Sequence, residues 1–182
     1  MRVIFLDIDG VLNSSRTAVA YQQMLQRDLD PVAVRMLHRL VMTCEASIVV
    51  SSVWRLGDDW RELVWSCLRA AGWPVEYYRW LRDNDYYGES PLIDRTDRSG
   101  PTRGHEIQRW LDDHPEVTDY LILDDDNDML ESQQDRFINV DHRVGFGFDN
   151  WMQIREIWPE VDQRNYGSWM AEQDEPREFE HE

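Results

Sequence analysis

The sequence predicts an α/β fold built on a doubly wound parallel sheet, from three observations: short apolar runs without strict alternation, helical stripes between them, and acidic or hydroxyl residues where the runs end. A run apolar at consecutive positions suits a strand buried on both faces, as in a parallel sheet covered by helices. Arg2 to Ile8 is such a run, and Asp9-Gly10 closes it with a turn-forming pair. From Pro31, a favoured first helical residue behind Asp30 as N-cap, Val34, Leu37, Leu40 and Val41 recur at helical spacing. A second strand, Ala46 to Ser52, precedes a helical stripe of Leu63, Val64, Cys67, Leu68 and Ala71 closed by Gly72. Ile107, Trp110 and Leu111 mark a further helix, DYLIL from Asp119 to Leu123 a third strand, FINV from Phe137 a fourth, and FDNWMQIREIW a last helix. The alternation is that of a doubly wound sheet with helices on both faces.

The 182 residues, 42% of them hydrophobic, suit a single domain over 1–164 with apolar material for a proper core. Between Trp73 and Thr102 the pattern is irregular, which predicts an insertion over the sheet edge with no element assigned. Its YYRWLRDNDYY stretch suits either stacking on bases or ordinary edge packing. Residues 165–182 are polar and acidic, the composition of a flexible tail. The net charge of -17 opposes unspecific binding to nucleic acid or an anionic membrane. All 19 basic residues are arginine, so any task needing a cation falls to arginine. Cys44 and Cys67 make no metal-binding or CxxC spacing, and no apolar stretch approaches the ~18 residues of a membrane span; a cytoplasmic protein is expected.

In open α/β sheets ligands bind beyond the carboxyl ends of the strands. There the first strand delivers Asp7 and Asp9, the second Ser51 and Ser52, and the third DDDND with Asp124, Asp125, Asp126 and Asp128. Carboxylates gathered at one rim repel one another and call for a counter-charge. An all-oxygen ligand set suits Mg²⁺, which commonly bridges protein carboxylates to a substrate phosphate.

DIDGVLN, from Asp7 to Asn13, resembles the DxDGxh first motif of the haloacid dehalogenase (HAD) superfamily, and the family's other three motifs follow in order up to about Trp158. Ser51 matches the small polar residue that ends the second strand, and Asp124-Asp125 the acidic pair. For the basic residue, more often lysine in the family, Arg95, Arg98 and Arg103 are available; Arg103, opening a helix, is chosen and Arg98 is the runner-up. SSVWR, RGHEIQRWL and LILDDDND further resemble the HAD domain of Swiss Army Knife RNA-repair proteins, a branch related to polynucleotide phosphatases.

The resemblance implies a Rossmann-like HAD fold with a minimal cap, since only Asn13 to Ser47, room for little beyond one helix, separates the first two motifs. It implies a Mg²⁺-dependent phosphomonoesterase in which Asp7 is the nucleophile and Asp9 the general acid and base. Ser51 would offer its hydroxyl, Ser52 its backbone N–H and Arg103 its guanidinium to the phosphoryl oxygens. The metal ligands would be Asp7, the main-chain carbonyl of Asp9, and Asp125 with Asp124 beside it, the register within DDDND staying open. The expected partner is a phosphorylated substrate: a nucleotide, a nucleic-acid end or a small phosphomonoester. A non-catalytic HAD-like module that binds a phosphorylated ligand is the alternative.

Overall fold

A computed structural model of the chain describes residues 1–21, 28–74 and 90–162. Five parallel strands, β1 (Arg2–Leu6), β2 (Ala46–Val50), β3 (Leu92–Arg95), β4 (Asp119–Asp124) and β5 (Phe137–Asn139), lie in the order β3-β2-β1-β4-β5. Among the described residues the α-helices are α1 (Ser15–Tyr21), α2 (Pro31–Cys44), α3 (Trp60–Ala70), α4 (Arg103–Asp113) and α5 (Phe148–Ile157). β1 is central and its residues Val3 to Leu6 are fully buried, which is why it reads as an unbroken apolar run.

Alternation along the strands divides the core in two. Ile4, Leu6, Ile48, Val50, Leu121 and Leu123 face a large cluster filled by α2, α3 and α5, among them Leu37, Leu40, Val64, Leu68, Trp151 and Ile154. Val3, Phe5, Val49 and Ile122 face the other way, onto Ile107 and Trp110 of α4. Each fully buried aliphatic or aromatic side chain contributes roughly 1.5–3 kcal/mol, so the first cluster supplies most of the stabilisation. The chain winds α2 and α3 over one face while moving outward from β1 to β3, then returns through α4 on the opposite face to β4, as right-handed crossovers require. The reversal leaves a crevice at the carboxyl end of β1, between β2 and β4.

Two expectations need correction. The irregular region holds an element, β3, whose Leu92, Ile93, Asp94 and Arg95 pair with β2 at the sheet edge, so Phe137–Asn139 is the fifth strand and not the fourth. Between the first two motifs the described residues form two helices, α1 and α2, where one was expected. α2 begins as predicted, the Asp30 side chain accepting a hydrogen bond from Val32 N at 2.8 Å. The YYRWLRDNDYY stretch and the acidic tail over 165–182 lie outside the described residues. Among the described residues no helix is long and apolar enough to cross a membrane.

Candidate active site

The site follows from strand alternation carried one residue beyond each strand. Leu6 pairs with Val50 on one side and Leu123 on the other. Ser51 N donates to Leu6 O and Asp7 N to Leu123 O, both at 2.9 Å, so the register continues into Ser51, Asp7 and Asp124. All three then stand on the face of Val49, Phe5 and Ile122, the one covered by α4. Arg103, the first residue of α4, is thereby aimed at them: its Nη2 lies 3.9 Å from Asp7 Oδ1 and its Nε 3.5 Å from Asp124 Oδ2.

Two glycines permit this approach. Gly10 sits at φ +79°, and a Cβ there would collide with the Asp125 carboxylate. Gly104, second in α4, touches the loop after β4 so closely that a Cβ would lie 2.5 Å from Leu130 N. The buried Gln133 fastens that contact, donating to Gly104 O and accepting from Leu130 N, each at 3.0 Å. Asp128 Oδ2 accepts from Arg103 N at 2.9 Å, so this acid of DDDND caps α4.

Asp7, Asp124 and Asp125 each bring a carboxylate oxygen within 4.8 Å of the others. Burial raises the Asp7 carboxyl above its usual range, against the pull of Arg103 and a hydrogen bond from Ser52. Burial, then the charge of Asp7, raises Asp124, and burial with Asp126 raises Asp125. One guanidinium cannot balance three carboxylates, and beyond the Arg103 Nε contact at 3.5 Å Asp124 Oδ2 is buried with no hydrogen bond among the described residues. These residues fit a divalent cation with oxygen ligands.

Asp9 stands apart from that cluster. Its Oδ1 accepts from Asn13 Nδ2 at 2.8 Å and its Oδ2 from the Trp54 indole N–H at 2.9 Å, and its carboxylate is not one of the three that gather within 4.8 Å. Trp54 thereby holds Asp9. The Ser52 hydroxyl hydrogen-bonds to the Asp7 carboxylate. The Ser51 hydroxyl is fully buried without a hydrogen-bond partner among the described residues. Of the competing arginines, Arg95 donates to the carbonyls of Arg55 and Gly57 and Arg98 is exposed, so Arg103 is the one brought to the carboxylates. A cavity of about 390 Å³ opens over the carboxylates, lined also by Asn13, Val53 and His142. Nothing in the sequence singled out Asn13, Gly104 or His142. Asn13, four residues past Asp9 and with Oδ1 accepting from Gly10 N at 3.0 Å, carries a local signal.

A central parallel strand ending in DxD, flanked by a serine loop, an arginine at a helix start and an acidic pair, defines a HAD-type hydrolase. Residues 3–150 match the family described as the HAD domain in Swiss Army Knife RNA repair proteins. The chain belongs to that family. No curated protein and no solved structure matches it.

Proposed function

We propose that the protein is a Mg²⁺-dependent phosphomonoesterase working through an aspartyl-phosphate on Asp7. The observation that carries the reading is the cluster of buried Asp7 and Asp124 with half-buried Asp125, facing Arg103, with a second acid, Asp9, held two residues from the nucleophile. Asp7, Asp124, Asp125 and the Asp9 main-chain carbonyl would hold Mg²⁺, whose part is to neutralise charge on the phosphoryl oxygens.

Asp7 attacks phosphorus as the bond to the leaving oxygen breaks, and Asp9 donates its proton to that alkoxide. Asp9 then takes a proton from water as the water attacks phosphorus, returning inorganic phosphate and the free Asp7 carboxylate. Arg103 stabilises the equatorial oxygens throughout, and the Ser51–Ser52 loop supplies hydroxyl and N–H donors. Asn13 and Trp54 hold Asp9 in place between its two tasks. The substrate is a nucleotide, a nucleic-acid end or another small phosphomonoester, met in the cytoplasm. Family membership supports nucleic-acid ends, while the net charge of -17 supports the smaller substrates.

The test is phosphate release from p-nitrophenyl phosphate, nucleotides and 5′- and 3′-phosphorylated oligonucleotides, beside Asp7→Asn and an EDTA control. Release abolished in both controls is expected. Folded, metal-loaded protein that releases phosphate from none of them would replace the enzyme with a phosphate-binding module.

A further inference from the structure

Arg55 and Glu106 form an ion pair that the reaction above does not use. Their side chains are only 4% and 8% exposed, and Arg55 Nη2 donates to Glu106 Oε2 at 2.6 Å. Arg55 Nη1 donates to the main-chain carbonyls of Ser51 and, at 2.7 Å, Ser52. Arg55 belongs to the 3-10 turn Val53–Leu56, directly after the serine loop. Glu106 stands on α4 three residues after Arg103, hence on the same side of the helix. A single guanidinium therefore joins the loop that ends β2 to the helix that brings Arg103 to the carboxylates.

Stability alone does not account for the pair. Both charges are desolvated, which opposes ionisation of each, and apolar side chains of like volume commonly hold such a contact as well or better. What apolar groups cannot do is dictate direction. The planar fork satisfies two adjacent carbonyls and one carboxylate at once, fixing the loop and the helix in one mutual orientation.

We propose that Arg55 and Glu106 are positioning residues for phosphoryl transfer, setting the Ser51–Ser52 loop and Arg103 at a fixed spacing across Asp7. The proposal rests on the phosphohydrolase reading for its kinetic consequence, though not for its geometric one.

The test compares Arg55→Met, the double variant Arg55→Met with Glu106→Leu, and Glu106→Gln. Arg55→Met strands a buried carboxylate and should lower Tm by roughly 10 °C. The double variant should regain most of that Tm, while its kcat on p-nitrophenyl phosphate stays down roughly 10²-fold at a KM within about threefold of the parent. Its crystal structure should show Arg103 displaced from its 3.9 Å approach to Asp7. Glu106→Gln, with an acceptor of the same shape but no charge to balance the buried guanidinium, should lose roughly tenfold in kcat and lower Tm by several degrees, less than Arg55→Met. Parental kcat in Glu106→Gln, or recovery of kcat together with Tm and an unmoved Arg103 in the double variant, would overturn the positioning role. If the parent protein hydrolyses no phosphomonoester, the phosphohydrolase reading fails separately. The crystallographic place of Arg103 in the double variant then decides the geometric claim, displaced in favour and unmoved against.

Discussion

The two faces of the sheet use the same strands for different ends. On the side of α2, α3 and α5 the residues Ile4, Leu6, Val50 and Leu123 point into a continuous apolar cluster. On the side of α4 the smaller cluster of Phe5, Val49, Ile122, Ile107 and Trp110 gives way, one step further along each strand, to Asp7, Ser51 and Asp124. The first face gains from every group it buries. The second buries carboxylates against their preference and recovers that cost only when something cationic is present. Stability and chemistry are thus separable by face, and substitutions can show how far.

The largest effect belongs to the polar face: Asp7→Asn should reduce phosphate release by at least about 10⁴-fold while the thermal midpoint holds or rises, because a buried charge is removed. Substantial turnover in that variant would end the nucleophile assignment. Leu40→Ala on the apolar face should do the reverse, costing about 2–5 kcal/mol in urea unfolding with kcat within about threefold of the parent at a temperature where both are folded. A large kcat loss there would show the faces to be coupled.

Gly104→Ala probes the seam between them. The added methyl has no room against Leu130 and Met129, so α4 must shift, and a loss in kcat of about 10- to 100-fold is expected from the displaced Arg103. Trp54→Phe removes the indole N–H at Asp9 together with part of the ring's packing and should cost a few-fold in kcat, with a change in the pH profile that Phe substitution elsewhere would not produce.

The smallest effect is thermodynamic. Raised carboxyl pKa values mean the native state binds more protons than the unfolded chain above the ordinary value of 3.8, so these groups make stability fall as pH rises. Without metal, the Tm of the parent protein should fall relative to Asp124→Asn between pH 4.5 and 8, and millimolar Mg²⁺ should erase the gap at pH 8 by favouring the ionised forms. A gap that narrows with pH would contradict the sign of the shift.

The central strands were legible because burial on both faces leaves an apolar run, and the site acids because each such run ends in a charge that apolar packing cannot explain. β3 escaped notice since LIDR carries only two apolar residues, enough for an edge strand with one neighbour but too few for a pattern. α1, with Val19 80% exposed, has no apolar stripe to read. Within the site, Asp7, Asp124, Asp125 and Arg103 come together from motif order alone. Arg55 and Glu106 lie 51 positions apart and announce nothing locally. Gly104 could have been suspected, because a glycine near the start of a helix weakens it and often marks a close approach.

The place of β1 in the sheet also has a temporal side. Its partners are β2, which follows in the first third of the chain, and β4, which arrives only in the last half. On a ribosome extending at about 5–20 residues per second, β1, α2 and β2 can associate for several seconds before Asp124 and Asp125 exist. During that interval the nascent chain presents Asp7 and Asp9 without the acids that complete a cation site. The unfinished half-sheet must therefore hold together on its apolar contacts and the β1–β2 ladder, and any metal can reward only the final docking of β4.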